Sequence, residues 1–295
     1  MYDIVIATEK KYINPVELTE HIKITLLEDE LLKTALEKRG CKVVRLNWDA
    51  DFEWSTTKSV VLRSVWDYHT RLEQFEKWVK ELSSQTKIIN SSKLVQWNLN
   101  KSYLGDLARN GIPICPTVFL KKNDHRSIRN ILEKEYWDHV VLKPAVSATA
   151  ENTYAIRSEE IDDYEDIFNK LTQEREMLVQ EFQKNILTKG EISLVLIDGK
   201  YSHSVLKKAK KGDFRVQRDF GGTVQQYNPS KNEIKLAENT IQVCEEIPVY
   251  SRVDMIWDNK DCLCISELEL IEPELWLTDN RSAVDRLADA ILRNI

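Results

Sequence analysis

No stretch of the 295-residue chain approaches the roughly 18 consecutive apolar residues that a membrane-spanning helix needs. The N-terminus, MYDIVIATEKK, has no basic segment ahead of its short apolar run. A cytoplasmic protein with no membrane partner is therefore expected. Excess basic charge is missing too: the net charge is -6 and the 31% of charged residues mix both signs, which argues against a broad polyanion surface and against nucleic acid as a partner. None of the five cysteines, at 41, 115, 244, 262 and 264, lies in a Cys-x-x-Cys or Cys/His spacing that fits zinc, and they read as buried free thiols. No GxGxxG follows the first apolar strand, so the usual dinucleotide fingerprint is absent. What the chain does have is core material, 42% hydrophobic residues and eight Trp, enough for about two domains.

YDIVIA (2–7), KVVRL (42–46) and SVVLR (59–63) read as strands, and the helical periodicity of 24–40, ending in Gly40, makes a βαβ start. A second amphipathic stretch at 71–82 leads to KIIN at 87–90. From Ser91, a candidate N-cap, to Gly111 the pattern predicts one or two short helices. TVFL, a helix near 126–135, HVVLKP (139–144), a helix at 159–172 and MLVQEF (177–182) follow. A hairpin turns at Asp198-Gly199, a helix covers 231–247, a second hairpin holds VDMIW and CISELEL, and a helix at 282–294 closes the chain. The fold class is α/β, with an α+β C-terminal part.

Five parts of the chain could carry chemistry. Lys143, at a strand end before Pro144, suits a phosphate as a point charge or is a snorkelling edge lysine. Gln180 and Glu181 interrupt an apolar strand, and Glu191 opens another, where it could accept from vicinal hydroxyls or sit at a surface turn. LKKAKKGDFRVQRDFGG (206–222) gathers Lys207, Lys208, Lys210, Lys211, Arg215 and Arg218; it suits a polyphosphate or is a solvated loop. Alternation puts Glu267 and Glu269 on one face of a strand that pairs with the one holding Asp254. Neighbouring carboxylates repel unless a cation relieves them, and oxygen-only ligands suit magnesium; the alternative is an exposed face of alternating Glu. In RSVWDY, Arg63 could bind a substrate carboxylate while Trp66 and Tyr68 shape the pocket, or the segment packs two domains together. His69 and His203 show no partner and read as structural.

These pieces, in this order, resemble the ATP-grasp superfamily of carboxylate-amine ligases, in the prokaryotic glutathione synthetase-like and ribosomal-protein glutamate ligase branch. In motif style RSVWDY, NKSYL, KGDFRVQRDFGG and ELELIEP look most like the branch that includes the cycloserine-forming cyclo-ligase. The resemblance implies an ATP-grasp fold with a Rossmann-like α/β domain on the substrate side (1–90), a central lid subdomain (91–176) and a C-terminal subdomain with the metal site (177–295). It implies Lys101 and Lys143 on nucleotide phosphates, Glu181 and Phe182 against adenine, Glu191 on ribose, Lys207 and Arg215 meeting the transferred phosphoryl group, and Asp254, Glu267 and Glu269 holding Mg2+, with Mn2+ as the alternative. ATP and small-molecule carboxylate and amine substrates follow, and related enzymes are often homodimers. The chain departs from the family at Glu269, where an asparagine is usual, and in the glycine-free AVSATAENT after Pro144, where Ser147, Thr149 and Thr153 would assist the backbone. Glu272 and Glu274 flank Pro273 beyond the strand and are given no ligand role. The implied activity is amide-type ligation through an acyl phosphate, between two molecules or within one, under a lid formed by 144–153 and 208–222. A nucleotide-binding module without ligase activity is the competing reading.

Overall fold

The computed structural model describes residues 1–147 and 152–295. Strands β1 (Tyr2–Thr8), β2 (Val43–Asn47), β3 (Thr57–Leu62) and β4 (Lys87–Ile89) form a parallel sheet in the order β2-β1-β3-β4. Ile4 to Ala7 are fully buried, as both faces of a parallel sheet must be. Helices α1 (Glu20–Glu37) and α2 (Leu72–Ser83) connect these strands. The Thr19 hydroxyl accepts the Ile22 amide at the start of α1, four residues earlier than the periodicity suggested.

Next come α3 (Ser92–Leu99) and α4 (Tyr103–Arg109), with Ser91 capping α3. Strands β5 (Thr117–Leu120), β6 (His139–Pro144), β7 (Tyr154–Arg157) and β8 (Met177–Glu181) form an antiparallel sheet ordered β5-β8-β6-β7, covered by α5 (Ile128–Glu135) and α6 (Ile161–Glu174). Strands β9 (Glu191–Ile197), β10 (Lys200–Lys208), β11 (Thr223–Gln226), β12 (Tyr250–Trp257) and β13 (Leu263–Glu269) form the third sheet, ordered β11-β10-β9-β12-β13. Helices α7 (Lys231–Ile241) and α8 (Arg281–Arg293) complete the chain. α7 starts in a reciprocal Ser230–Glu233 cap and ends at Ile241, short of 247.

Two of the expected boundaries differ from the sheets. β8 pairs with β5 and β6, so the second sheet runs past 176 to Glu181. Leu94, Leu104 and Leu107, from α3 and α4, pack against Ile192, Leu194 and Leu268 of the third sheet, so this helical pair shares a core with the C-terminal strands. The parallel sheet does not core alone either: Ile4, Ile6 and Leu36 join Val195, Leu275 and Leu287 in one cluster.

The third sheet has two unlike faces. Ile192, Leu194, Val253, Met255 and Leu268 point toward α3, α4 and α7. Register sets Lys207 opposite Glu191, Asp254 opposite both Ser193 and Glu267, and Arg252 opposite Glu269 on the other face. A bulge on β13, opposite the Asp254–Met255 step of β12, leaves Ser266 unpaired, so Ser266 and Glu267 both reach the polar face.

Candidate active site

A cavity of about 570 Å3 lies where the polar face of the third sheet meets the second sheet and the parallel sheet. At one end the Phe182 ring stacks on His139, 3.9 Å between centroids, with Phe214 edge-on at 5.7 Å. Val141, Ile256 and Cys115 add apolar wall there, while Glu181 accepts from Asn259 Nδ2 at 3.0 Å and from Gln183 Nε2 at 3.2 Å. A flat apolar slot edged by polar groups suits a planar heterocycle.

Charges occupy the middle. Lys101, from the turn before α4, gives its Nζ to the Ser147 carbonyl at 2.9 Å and lies 3.1 Å from Glu267 Oε1. Burial pulls the Lys143 ammonium below its usual range, Glu267 opposing and Lys101 reinforcing. Lys207, 6% exposed, sits between Glu191 Oε1 at 2.5 Å and Asp254 Oδ2 at 3.2 Å; burial works against its charge, but these two carboxylates outweigh it. Lys208 is exposed, so Lys207 is the lysine of that pair on the cavity. Glu191 is held on both oxygens, by Lys207 and by the Ser266 hydroxyl at 2.9 Å, and burial pushes its carboxyl up.

Asp254, Glu267 and Glu269 bring ligand oxygens within 4.8 Å of one another. Burial raises all three, yet Asp254 ends well below the carboxylate range because Arg252 and Lys207 flank it, and Glu267 ends low beside Lys101 and Lys143. Glu269 is pushed up to about 7, by burial and by the charges of Glu267 and Asp254. The oxygen-only donor set fits a hard divalent cation such as magnesium. Asp254 is the most committed member, since Arg252 donates to both its oxygens at 2.9 Å.

Arg252 was not among the sequence candidates. It bridges Asp254 and Glu269, and alternation in SRVDMIW, which puts it two residues before Asp254, was the available signal. Arg215 lines the cavity but is forked onto Asp213 at 2.7 Å, with its guanidinium 3.6 Å from the Phe220 centroid. Arg63 does not reach the cavity, which corrects its expected substrate role. Its guanidinium is 4% exposed and spent on Glu28 at 3.1 Å and the Pro273 carbonyl at 3.1 Å, so it ties α1 to the turn after β13. Trp66 and Tyr68 do line the cavity, and so do Glu272 and Glu274, which were given no ligand role. His203 is buried, with Nε2 2.6 Å from the Leu275 carbonyl. Ser147 and Thr153 line the cavity; Thr149 lies outside the described residues. The described cysteines are all free: Cys115 and Cys264 are buried with sulfurs 3.5 Å apart, whereas Cys262 is exposed, against expectation. No helix among the described residues is long and apolar enough to cross a membrane.

Residues 4–90 match the model of the N-terminal domain of D-cycloserine synthetase DcsG, and residues 112–255 match the ATP-grasp domain of prokaryotic glutathione synthetase. The cycloserine biosynthesis protein DcsG of Streptomyces lavendulae is 26% identical over 262 residues, which is 84% of this chain and 86% of that protein. The crystal structure of D-cycloserine synthetase DcsG superposes with a TM-score of 0.84 at 23% identity, covering 99% of each chain. D-alanine--D-alanine ligase from Bacillus anthracis shares the fold at a TM-score of 0.70 and 13% identity, over 99% of this chain and 97% of that one. A cavity with an apolar slot, a row of lysines and a carboxylate triad, on a chain whose residues 112–255 match an ATP-grasp domain and whose residues 4–90 match the cycloserine synthetase's N-terminal domain, identifies an ATP-dependent C–N ligase similar to the cycloserine synthetase.

Proposed function

We propose that the protein joins a carboxylate to an amine through an acyl phosphate, on a small amino-acid-like substrate, with ATP and magnesium. The observation that carries this is the convergence of Lys101, Lys143, Lys207 and Arg252 with Asp254, Glu267 and Glu269 around one cavity. Phosphoryl transfer asks a protein mainly for alignment and charge neutralisation. Lys101 and Lys143 would hold nucleotide phosphates, and Phe182 with Glu181 would edge the adenine. Magnesium on Asp254, Glu267 and Glu269 would neutralise charge on the phosphates as transfer proceeds. Lys207 keeps Asp254 ionised and joins it to Glu191. Arg215, released from Asp213 as the basic loop closes, would meet the transferred group and exclude water from the acyl phosphate.

Two considerations favour ligation within one small molecule over joining two. The cavity falls within the roughly 300–1,000 Å3 of ordinary small-molecule sites, and it must also take the nucleotide. The N-terminal part resembles that of a cycloserine synthetase. ADP release measured with ATP, magnesium and a panel of amino acids tests the ligase reading: dependence on one amino acid, with a new amide found by mass spectrometry, is expected. Tight ATP binding without turnover on any substrate would contradict it.

A further inference from the structure

The wall that the parallel-sheet region gives to the cavity is chemically unlike the rest. It presents rings: Tyr12 and His21 lie 5.4 and 5.3 Å from Trp66, centroid to centroid, and Tyr68 lies alongside. Beside them the turn after β13 brings Glu272, 7% exposed, with its carboxylate in reach of the Tyr68 phenol and the Trp66 indole N–H donating to its backbone carbonyl at 3.1 Å. The other buried carboxylates of the cavity have cations: Lys207 for Glu191 and Asp254, Lys101 for Glu267, Arg252 for Glu269. Glu272 has none in contact among the described residues. Burial and the charge of Glu269 push its carboxyl up to about 8; Lys101, which pulls the other way from a distance, is already paired with Glu267.

A buried carboxylate that faces open space without a cation is costly, and the cost is removed when a ligand brings the charge. Aromatic faces beside it favour the same kind of guest, because ring quadrupoles attract ammonium groups. Resting on the ligase reading above, we propose that Glu272, oriented by Tyr68 and walled by Trp66, seats the ammonium group of the amino-acid substrate and so decides that the enzyme accepts carboxylates carrying a free amine. Glu269 is a near electrostatic neighbour of Glu272. A substrate anchored there by its ammonium therefore keeps its own carboxylate beside the metal carboxylates, where phosphoryl transfer would occur. Arg63 acts through this seat as a positioning residue: it holds the Pro273 carbonyl, one residue along the turn.

The test uses the purified full-length chain and two variants, Glu272→Gln and Tyr68→Phe, each checked for an unchanged thermal midpoint. ADP release is followed with ATP and magnesium against small amino acids of both hands and against their N-acetyl and desamino counterparts. Stimulation by free amino acids and not by the blocked or desamino forms is expected. Glu272→Gln should raise KM for the stimulating amino acid about tenfold or more while KM for ATP stays within about twofold, and Tyr68→Phe should do the same to a smaller degree. Desamino or acetylated acids turned over as well as their parents, or an unchanged amino-acid KM in Glu272→Gln, would overturn the seat and leave the ligase reading standing. No ADP release with any carboxylate would take both down.

Discussion

Glu267 is the carboxylate whose loss should be most selective, because Lys101 and Lys143 already hold it ionised at the cavity wall. Glu267→Gln keeps its shape and removes its charge. ADP release should fall about 100-fold or more at saturating magnesium, with an unchanged unfolding midpoint; ADP release at the wild-type rate would remove it from the metal set. Arg215 is forked onto Asp213, whose carboxyl it holds down at about 2. Arg215→Ala should therefore lower kcat by roughly 100-fold or more while the Kd for ATP changes far less; equal losses would leave it a docking role only. At this scale legibility followed distance along the chain. Strand alternation was enough to expect Asp254, Glu267 and Glu269 on one face, and the same alternation would have found Arg252. Arg63 was ambiguous because its partner Glu28 lies on a helix 35 residues away. Glu272, given no ligand role, lies outside the metal set, and its place on the cavity could not be read locally because Pro273 signals a turn without signalling its direction.

The hairpin β9–β10 carries Glu191 and Lys207 as a directly opposed pair, and Gly190 sets its geometry. Its φ is +81° and a Cβ there would stand 2.3 Å from the Lys207 backbone carbonyl, so no other residue fits without moving β10. Gly190→Ala should destabilise the protein by about 1–3 kcal/mol, read by urea unfolding, and also lower turnover by displacing Lys207. A variant of normal stability and activity would show that this close approach is dispensable. Most elements could be read from periodicity and capping, including Ser91 before α3 and the Asp198-Gly199 turn, where both residues have positive φ. Sheet membership could not. β8 is an apolar strand by any local measure, and only its non-local partners β5 and β6 assign it to the second sheet.

Across the whole molecule, Arg63, Glu28, Asp29 and Arg45 form a buried charge network between α1, the parallel sheet and the turn after β13. Burial raises the Glu28 carboxyl from 4.5 to about 7, against the pull of Arg63. The native state thus keeps a proton that the unfolded chain has lost, so stability falls as pH rises from about 4.5 through about 7, by an amount on the order of 3 kcal/mol. Urea midpoints at pH 5 and pH 8 should show that fall, and Glu28→Gln should lessen it, the raised Asp29 and Glu269 carboxyls keeping the remainder; an equal slope in the variant would assign the dependence to other groups. The same network ties the substrate-side wall to the metal strand. The central claim, however, concerns the chemistry between those walls, and oxygen tracing tests it most directly. With the stimulating amino acid labelled with 18O in its carboxylate, an acyl-phosphate route predicts one labelled oxygen in the inorganic phosphate released per turnover. Unlabelled phosphate accompanying product formation would contradict it.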